Sequence, residues 1–377
     1  YSTLKSARII INQCSEGGID YGNFATKGMA EVLAAYNCAL IADMFGDAPC
    51  SQAALVDENG SPVYLTPKMD KQEEIYTQAM QYLDDAIADL QKEDLIDPGA
   101  QDLLYQGDAE KWLKLAYGLK ARYTMHLLKR SANKDADMEK VLEYVDNSFE
   151  SAEEQAAFDV YDANNINPLY GFFVARAGLG ASESMRSKLA EYNDPRLSRA
   201  FITKQGASGK EQAPGTADNA VYAPNGSPEQ GTSKYGTSLF MYSISAPTLL
   251  LSYHELKFLE AEALCRLGRD AKSALKDAVV AGLLNAENSF SVSRKELGKT
   301  LINPASSITD TEAESYFDNT IEAKYTAEPL KTTMIQKYFA LWGASGEATE
   351  SYNDVRRMKG LGENFIELKN PNSFPLR

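Results

Sequence analysis

The residues of this chain best suited to ligand chemistry are aromatic and amide side chains in segments without helical periodicity. They are Tyr161, Asn164, Tyr170, Tyr222 and Tyr235. An aromatic ring packs against the apolar C–H face of a sugar, and amide groups hydrogen-bond to the hydroxyls around that face. We therefore predict that these five residues contact a ligand. The alternative is that the same rings hold the loops against a scaffold, because aromatic side chains are mostly buried.

No pattern for covalent or acid–base catalysis accompanies these residues. The sequence lacks the G-x-S-x-G and H-E-x-x-H patterns, which position a nucleophile or a zinc ion. The carboxylate pairs Glu73–Glu74 and Glu260–Glu262 lie in predicted helices, where neighbours one or two positions apart point in different directions. Glycoside hydrolysis needs two carboxyl groups that flank the scissile bond. We therefore predict no catalytic residue.

Metal and cofactor sites are not predicted either. The four cysteines are Cys14, Cys38, Cys50 and Cys265. They include no C-x-x-C pair, and two histidines are too few for a histidine cluster. The acidic loops that start at Asp57 and Asp162 lack the twelve-residue calcium pattern. We interpret the cysteines as buried apolar residues, and a disulfide between Cys38 and Cys50 stays open because sequence alone cannot show its geometry.

The net charge excludes one large class of ligand. The chain has 53 acidic and 38 basic residues and a net charge of -15. Phosphate backbones repel such a surface, so nucleic-acid binding is not expected. The hydrophobic fraction of 44% is ordinary for a folded protein. A length of 377 residues exceeds the usual size of one core and indicates two domains or an extended helical array.

Helical periodicity dominates the sequence, and helices must therefore position the aromatic loops. Apolar residues recur every three or four positions in several segments. These segments are residues 27–45, 70–90, 110–128, 138–149, 247–267, 271–284, 311–326, 330–341 and 346–358. Gly268 separates one pair, because glycine tolerates the left-handed conformation that ends a helix. The pattern predicts a mostly α fold, a tetratricopeptide-like helix-pair scaffold or α/α superhelix.

Long segments without periodicity interrupt this scaffold. Residues 158–180 and 204–237 are rich in Gly, Pro, Asn and aromatics, and show little strand signal. Loops of this length inside a compact protein are usually functional. We expect a loop-rich lobe that forms the ligand face. The predicted single domain covers residues 1–377, with the scaffold mainly in 1–150 and 247–360 and the ligand face in about 158–245.

Five motifs occur in order along the chain. They are Asp43-Met-Phe45-Gly46-Asp47-Ala-Pro49 at the end of a helix, the helix Trp112 to Arg122, Asn193-Asp-Pro-Arg-Leu197, the helix Tyr253 to Gly268, and Gln336-Lys337-Tyr338 followed by Asp354-Val-Arg-Arg357. In this order they resemble the motifs of the SusD/RagB family, most closely its starch-binding-associated branch. One departure is Tyr338, which stands where the family usually has Trp.

The resemblance implies a location, a function and a partner. It implies a lipid-anchored protein on the outer-membrane surface of Bacteroidetes-type bacteria, with the anchor on a segment upstream of this chain. It implies that the protein binds oligosaccharide, or in some relatives peptide, without catalysis and without a cofactor. It also implies a TonB-dependent, SusC-like transporter as the partner that receives the nutrient.

Other functions stay open beside this one. Arrays of helix pairs often bind peptides on a concave face, so a peptide-importing component or a protein-interaction scaffold is an alternative. A helical glycoside hydrolase is a further alternative, which the missing catalytic motifs disfavour. The aromatic loops favour oligosaccharide binding, because an interaction scaffold would place its contacts on the helices.

Overall fold

The computed structural model of the protein describes residues 1–162, 164–176, 179–203, 212–216, 218–225 and 234–368. The backbone of these residues is mostly helical, which confirms the predicted fold class. It forms two compact units, of which the first spans Tyr1–Ala156 and the second begins at Ala157. The prediction of a single domain over residues 1–377 stays a prediction.

The first unit consists of helices joined by turns. They are α1 (Ser2–Cys14), α2 (Phe24–Phe45), α3 (Gln72–Asp89), α4 (Ala109–His126) and α5 (Lys134–Asp146). Helix α2 packs against α1, α3 and α4, and α4 packs against α3 and α5. The last four agree with predicted segments. Helix α1 was not predicted, because the β-branched run Ile9-Ile10-Ile11 has a low helix propensity. The burial of Leu4, Ala7 and Cys14 in the folded protein offsets this low propensity.

Helix α2 forms the core of this unit. Among the described residues it is the one helix whose length and composition would allow it to cross a membrane. However, 67% of its most apolar window is buried inside the protein. The core helix of a soluble unit has the same composition, so the apolar character of α2 is explained by its packing.

The second unit contains a larger set of helices. They are α6 (Pro168–Arg176), α7 (Glu183–Glu191), α8 (Tyr253–Arg266), α9 (Lys272–Leu297), α10 (Asp310–Tyr316), α11 (Glu322–Ala327), α12 (Pro329–Ala340) and α13 (Ala348–Leu361). Helix α8 packs against α9 and α12, and α9 packs against α12. A Cβ atom on Gly282 would lie 2.8 Å from the Cβ of Ala340, so glycine lets α9 and α12 approach closely.

Several predicted boundaries in this unit were wrong for local reasons. Residues 248–251 form a strand, and α8 begins only at Tyr253 because the Ser252 hydroxyl accepts a hydrogen bond from the Glu255 N–H at 3.0 Å. The single helix predicted over 311–326 is interrupted by a π-helical segment, Phe317–Ile321. Helices α6 and α7 lie in segments without a clear apolar period, and the sequence did not predict them.

Short strands and 3₁₀ helices fill the connections. The strands are β1 (Ala156–Phe158), β2 (Phe201–Ile202), β3 (Thr237–Ser238) and β4 (Thr248–Leu251). The 3₁₀ helices are Gly99–Gln101, Leu127–Arg130, Ala152–Glu154, Pro195–Ser198, Leu239–Tyr242 and Gly298–Thr300. Strands β2 and β3 pair antiparallel, with Phe201 opposite Ser238.

Aromatic packing attaches two of these connections to the helices of the second unit. The ring of Phe240 stacks on Phe290 of α9 with centroids 4.6 Å apart, and Phe240 also meets Trp342 at 5.1 Å. Residues of β2, of the 3₁₀ helix Leu239–Tyr242 and of α9 therefore belong to one hydrophobic core.

Candidate ligand-binding site

The described residues of the second unit form a cleft. Its volume is about 870 Å³. Its walls are α7, α12, the residues Pro224 and Asn225, and the extended chain at 364–367. A volume of this size suits a ligand of several rings or residues, since typical small-molecule sites span about 300–1,000 Å³.

Helix α7 forms one wall because its N-terminal end is held in place. The Ser182 hydroxyl accepts a hydrogen bond from the Met185 N–H at 3.3 Å and caps the helix. The Glu183 N–H donates to the carbonyl of Ala223 at 3.0 Å, which attaches the chain at 223–225 to the same end. Met185 and Leu189 are buried beneath the helix. The opposite face of α7 therefore points its polar side chains into the cleft.

The charge at this wall is organised by an ion pair. The Arg186 guanidinium donates to both carboxylate oxygens of Glu183, at 2.8 and 3.0 Å. This hydrogen bonding lowers the pKa of Glu183, so the carboxylate stays ionised at neutral pH. The Ser187 hydroxyl donates to the same carboxylate at 2.8 Å. The wall thus presents a fixed acceptor that can receive hydrogen bonds from hydroxyls or amides.

Aromatic side chains form another part of the cleft. Tyr192, Tyr338 and Phe365 all line it. Tyr192 is only 6% exposed, so the partly buried Tyr338 and Phe365 offer a ligand the larger aromatic surface. Burial raises the pKa of Tyr192 to about 12 and also raises the pKa of Tyr338. Both phenols are therefore neutral at physiological pH, and each can donate and accept a hydrogen bond. In such a cleft, aromatic side chains can pack against the apolar face of a sugar ring, and polar groups can hydrogen-bond to the hydroxyls at its rim.

The structure places Tyr161, Asn164 and Tyr170 in other parts of the second unit. The Tyr161 ring meets Phe158 edge-on at 5.2 Å, and its hydroxyl lies 2.6 Å from the Thr248 Oγ1. Tyr170 donates to Glu296 Oε1 at 3.1 Å. Asn164 is exposed in a turn, where its N–H donates to Asp162 Oδ1 at 2.8 Å. The two tyrosines fasten their loops, and ligand contact by the three residues stays a prediction.

Tyr222 and Tyr235 lie close to each other, because the Gly236 N–H donates to the Val221 carbonyl at 2.8 Å. The Tyr222 ring packs against Phe201 at 5.3 Å and carries the Arg186 guanidinium at 5.2 Å on its face. Tyr222 is thus connected to the cleft through the Arg186–Glu183 ion pair. Tyr235 is only 5% exposed and offers a ligand little surface as it stands. Ligand contact by both residues stays a prediction.

Sequence reasoning missed the cleft residues for an identifiable reason. Tyr192, Ile335 and Tyr338 come from helices or their ends, and a helical pattern places such residues in the core. The one available signal is Tyr338, which replaces the usual Trp of the fifth motif.

The two acidic loops, which start at Asp57 and Asp162, act as turns. Asp57 Oδ1 accepts hydrogen bonds from the N–H groups of Asn59 and Ser61, both at 2.9 Å.

Comparisons with known proteins agree on one family. A family model described as "Starch-binding associating with outer membrane" matches residues 1–359. A crystal structure of a SusD/RagB family protein from Bacteroides thetaiotaomicron is 66% identical, with a TM-score of 0.93, and the match covers 99% of this chain and 77% of that one. No curated protein matches the chain.

More distant structures share the fold. A SusD homolog from Bacteroides fragilis is 21% identical, with a TM-score of 0.70 and coverage of 97% of this chain and 77% of that one. A chitin-binding SusD homolog from Flavobacterium johnsoniae is 19% identical, with a TM-score of 0.65 and coverage of 94% and 71%. The whole-chain family match and the 66% identical structure decide the assignment: this chain belongs to the SusD/RagB family of nutrient-binding proteins.

Proposed function

We propose that this protein binds an oligosaccharide nutrient in the cleft of its second unit, without cleaving it. The observation that carries the proposal is the combination of Tyr192, Tyr338 and Phe365 with the fixed carboxylate of Glu183 around one volume of about 870 Å³. The family description names starch, and one homolog of the same fold binds chitin. Both ligands are chains of pyranose rings, which aromatic side chains recognise by stacking.

The residues predicted from the sequence extend this proposal. We infer that Tyr161, Asn164, Tyr170, Tyr222 and Tyr235 contribute contacts beyond the cleft to a longer oligosaccharide. Tyr222 is the best-supported ligand contact of the five. Its ring carries the Arg186 guanidinium, and Arg186 in turn pairs with Glu183 of the cleft wall. Tyr235 requires a movement of its loop before its ring can meet a ligand.

Calorimetry with purified protein tests the binding. A panel of starch, chitin and other oligosaccharides is titrated, and a matched panel of peptides follows. Saturable heat with one glycan class and none with peptides is the expected result. The same glycan is then incubated with the protein and its length is measured by chromatography. Shortened glycan would overturn the non-catalytic reading, and heat with peptides alone would overturn the choice of ligand.

Peptide binding is a second candidate because the cleft carries charges of both signs. Glu183, Glu191 and Glu367 line it together with Lys188 and Lys331. Neutral sugars have no need of charge, whereas peptides carry termini and charged side chains. A dependence of affinity on ionic strength would favour this candidate over a neutral glycan, because salt screens charge pairs near a surface.

We further propose that the bound nutrient passes to a TonB-dependent, SusC-like transporter. Several large apolar side chains at the end of α2 support this partner. Leu40, Met44 and Phe45 are exposed there. Met69 is also exposed, and the backbone pairing of Asp70 with Ala48 brings it next to the end of α2. This α2-end surface is unusual for a protein without a partner, because large exposed apolar groups gathered at one place commonly mark interfaces. Co-purification with a SusC-like transporter of the same host tests the pairing.

We also propose that a lipid anchor on an upstream segment holds the protein on the outside of the outer membrane. The family description supports association with this membrane. The test expresses the complete gene product in its own host with a labelled fatty acid, and treats intact cells with protease. Label on the protein and its digestion from intact cells are expected. An unlabelled protein that resists digestion until the cells are broken would contradict the proposal.

A further inference from the structure

Two buried thiols face each other in the first unit. Cys38 lies in α2, and Cys50 follows the turn that leaves this helix. Both residues are fully buried. Their Sγ atoms are 3.3 Å apart, so the two sulfurs are in direct contact. Cys265, in contrast, has the Thr333 hydroxyl as its neighbour, at 3.7 Å.

The backbone around Cys50 is fixed by hydrogen bonds. Its N–H donates to Asp70 Oδ2 at 2.8 Å, and its carbonyl accepts a hydrogen bond from Arg8 Nη1 at 2.9 Å. Cys38 is held in the middle of a buried helix. A disulfide requires an S–S distance of about 2.05 Å, so the sulfurs need to approach by little more than one ångström. Rotation of the two side chains can supply most of this movement without unfolding the backbone.

The surroundings also favour a reactive sulfur at Cys50. The Cys38 thiol can donate a hydrogen bond to the Cys50 sulfur, which lowers the pKa of Cys50 although its burial acts in the opposite direction. The Arg8 guanidinium is 7% exposed, and its Nη2 has no hydrogen-bond partner among the described residues. A buried cation with a spare donor stabilises a nearby thiolate, and the thiolate is the nucleophile in disulfide exchange.

We propose that Cys38 and Cys50 form an intrachain disulfide once the protein reaches an oxidising compartment. The oxidant is a protein or small-molecule disulfide. Because both thiols are buried, a local opening of the turn after α2 first exposes Cys50. The Cys50 thiolate then attacks one sulfur of that disulfide, forms a mixed disulfide and releases the first thiolate. Cys38 then loses its proton and attacks the Cys50 sulfur, which releases the second thiolate. In total, the two cysteines lose two protons and two electrons, and the oxidant is reduced to two thiols.

The disulfide would fasten the turn after α2 to the helix itself. The closed loop contains Phe45, Gly46 and Asp47, which means that it carries part of the α2-end surface. A crosslink across a short loop restricts the unfolded chain and raises the unfolding temperature. The proposal thus adds a covalent modification to the segment that we assign to the transporter interface, and it does not depend on which ligand the cleft binds.

The main experiment maps the cysteines of the unaltered protein. Protein exported to the periplasm is denatured without reductant, alkylated, digested and analysed by mass spectrometry. We expect a crosslinked pair of peptides that contains Cys38 and Cys50, with Cys14 and Cys265 alkylated. Alkylation of all four cysteines, or a crosslink to Cys14 or Cys265, would overturn the proposal.

A second experiment tests disulfide formation independently of where the protein resides in the cell. Purified, reduced protein is equilibrated with mixtures of oxidised and reduced glutathione, and the melting temperature is recorded. We expect the Cys38–Cys50 crosslink to appear and the melting temperature to rise by several degrees. Cys265→Ser should behave like the unaltered protein, whereas Cys38→Ala should show no rise. Absence of the crosslink at every ratio would overturn the proposal whether or not the protein resides at the outer membrane.

Discussion

At the scale of single residues, the same side-chain type serves the core in one place and the site in another. Tyr235 and Tyr192 are almost equally buried, yet only Tyr192 lines the cleft. The difference lies in what surrounds each ring. Tyr192 forms a T-shaped pair with Phe339 at 5.5 Å and has Lys324 Nζ 4.5 Å from its ring centroid, whereas Tyr235 covers Gly180. Ring type alone therefore does not identify a ligand contact.

Replacement of Tyr338 tests the cleft at this scale. Tyr338→Ala removes half-buried aromatic surface from the wall and should weaken oligosaccharide affinity about tenfold, which corresponds to about 1.4 kcal/mol. The control is Tyr352→Ala, because Tyr352 is exposed and lies outside the cleft. Calorimetry gives the affinity and a melting curve verifies the fold. Equal affinities of both variants would show that the cleft is not the binding site.

Asp70 sets a dependence of stability on pH. Its side chain is 3% exposed, and burial alone would raise its pKa. Hydrogen bonds from the Ser51 hydroxyl and N–H, both at 2.7 Å, from the Cys50 N–H, and from Lys68 outweigh burial and lower the pKa to about 2. An unfolded aspartate has a pKa of about 3.9. The ionised form therefore stabilises the folded state by about 2 kcal/mol above this value, and this contribution is lost as the pH falls towards 2.

Urea unfolding of Asp70→Asn checks this expectation. At pH 7 the variant should be less stable than the unaltered protein by about 2 kcal/mol. Between pH 4 and pH 2 its stability should also fall less steeply, since the titrating group is gone. Asp85→Asn is the matched control, because Asp85 is exposed on α3 of the same unit. A steep fall that persists in Asp70→Asn would assign the pH dependence to other carboxylates.

At the scale of elements, buried charge connects helices that are distant in sequence. Glu262 of α8 is fully buried and accepts a hydrogen bond from Arg357 of α13 at 2.8 Å. It also accepts one from Arg266 at 2.7 Å. Burial opposes ionisation, but the two guanidinium charges outweigh it and hold the pKa of Glu262 well below its usual range. This carboxylate therefore holds α13 on α8, which gives Glu262 a structural role.

Removal of the Glu262 charge should be costly. Glu262→Gln leaves Arg357 and Arg266 buried without their main counter-charge, and a loss of about 3 kcal/mol in the free energy of unfolding is expected. Glu260→Gln is the control on the same helix, since Glu260 pairs with Lys257 near the surface and should lose less than about 1 kcal/mol. Denaturant titration measures both. A difference of less than 1 kcal/mol between the variants would contradict the structural role.

At the scale of the whole molecule, the two units have different surfaces. The first unit exposes Leu40, Met44, Phe45 and Met69 at the α2-end surface. The second unit contains the candidate cleft, whose walls carry charged and aromatic groups. A protein that both captures a nutrient and passes it on needs one surface for each task. The separate placement of the cleft and the apolar surface is consistent with the proposed delivery.

Two substitutions test whether these tasks are independent. Phe45→Ser with Met69→Ser should reduce co-purification with the transporter at least about tenfold, as expected when central aromatic and apolar contacts are lost. Affinity for oligosaccharide should not change. Leu95→Ser with Ile96→Ser is the control, because these apolar residues are exposed in the same unit outside the α2-end surface. Unchanged co-purification of the first variant would place the interface elsewhere.

Local residue patterns were sufficient to predict the helical class, most helix positions and the family. Apolar residues at steps of three and four are a local property, which is why α2, α3, α4 and α12 were predicted close to their observed bounds. The break at Gly268 was also predictable, since its φ of 68° is a backbone conformation that glycine adopts without strain. Motif order identified the family for the same reason, because the motifs are turns, helix ends and short helical stretches encoded by neighbouring residues.

The position of the cleft and the rings available to it depend on tertiary packing. Tyr338 and Glu183 are distant in sequence, and they line the same cleft because α12 and α7 both form its walls. The burial of Tyr235 and the contact between the Cys38 and Cys50 sulfurs are likewise products of packing. The exposure of a side chain, and its distance from another side chain, depend on all its neighbours in the folded protein. A periodic pattern in the sequence reports only on neighbours along the chain.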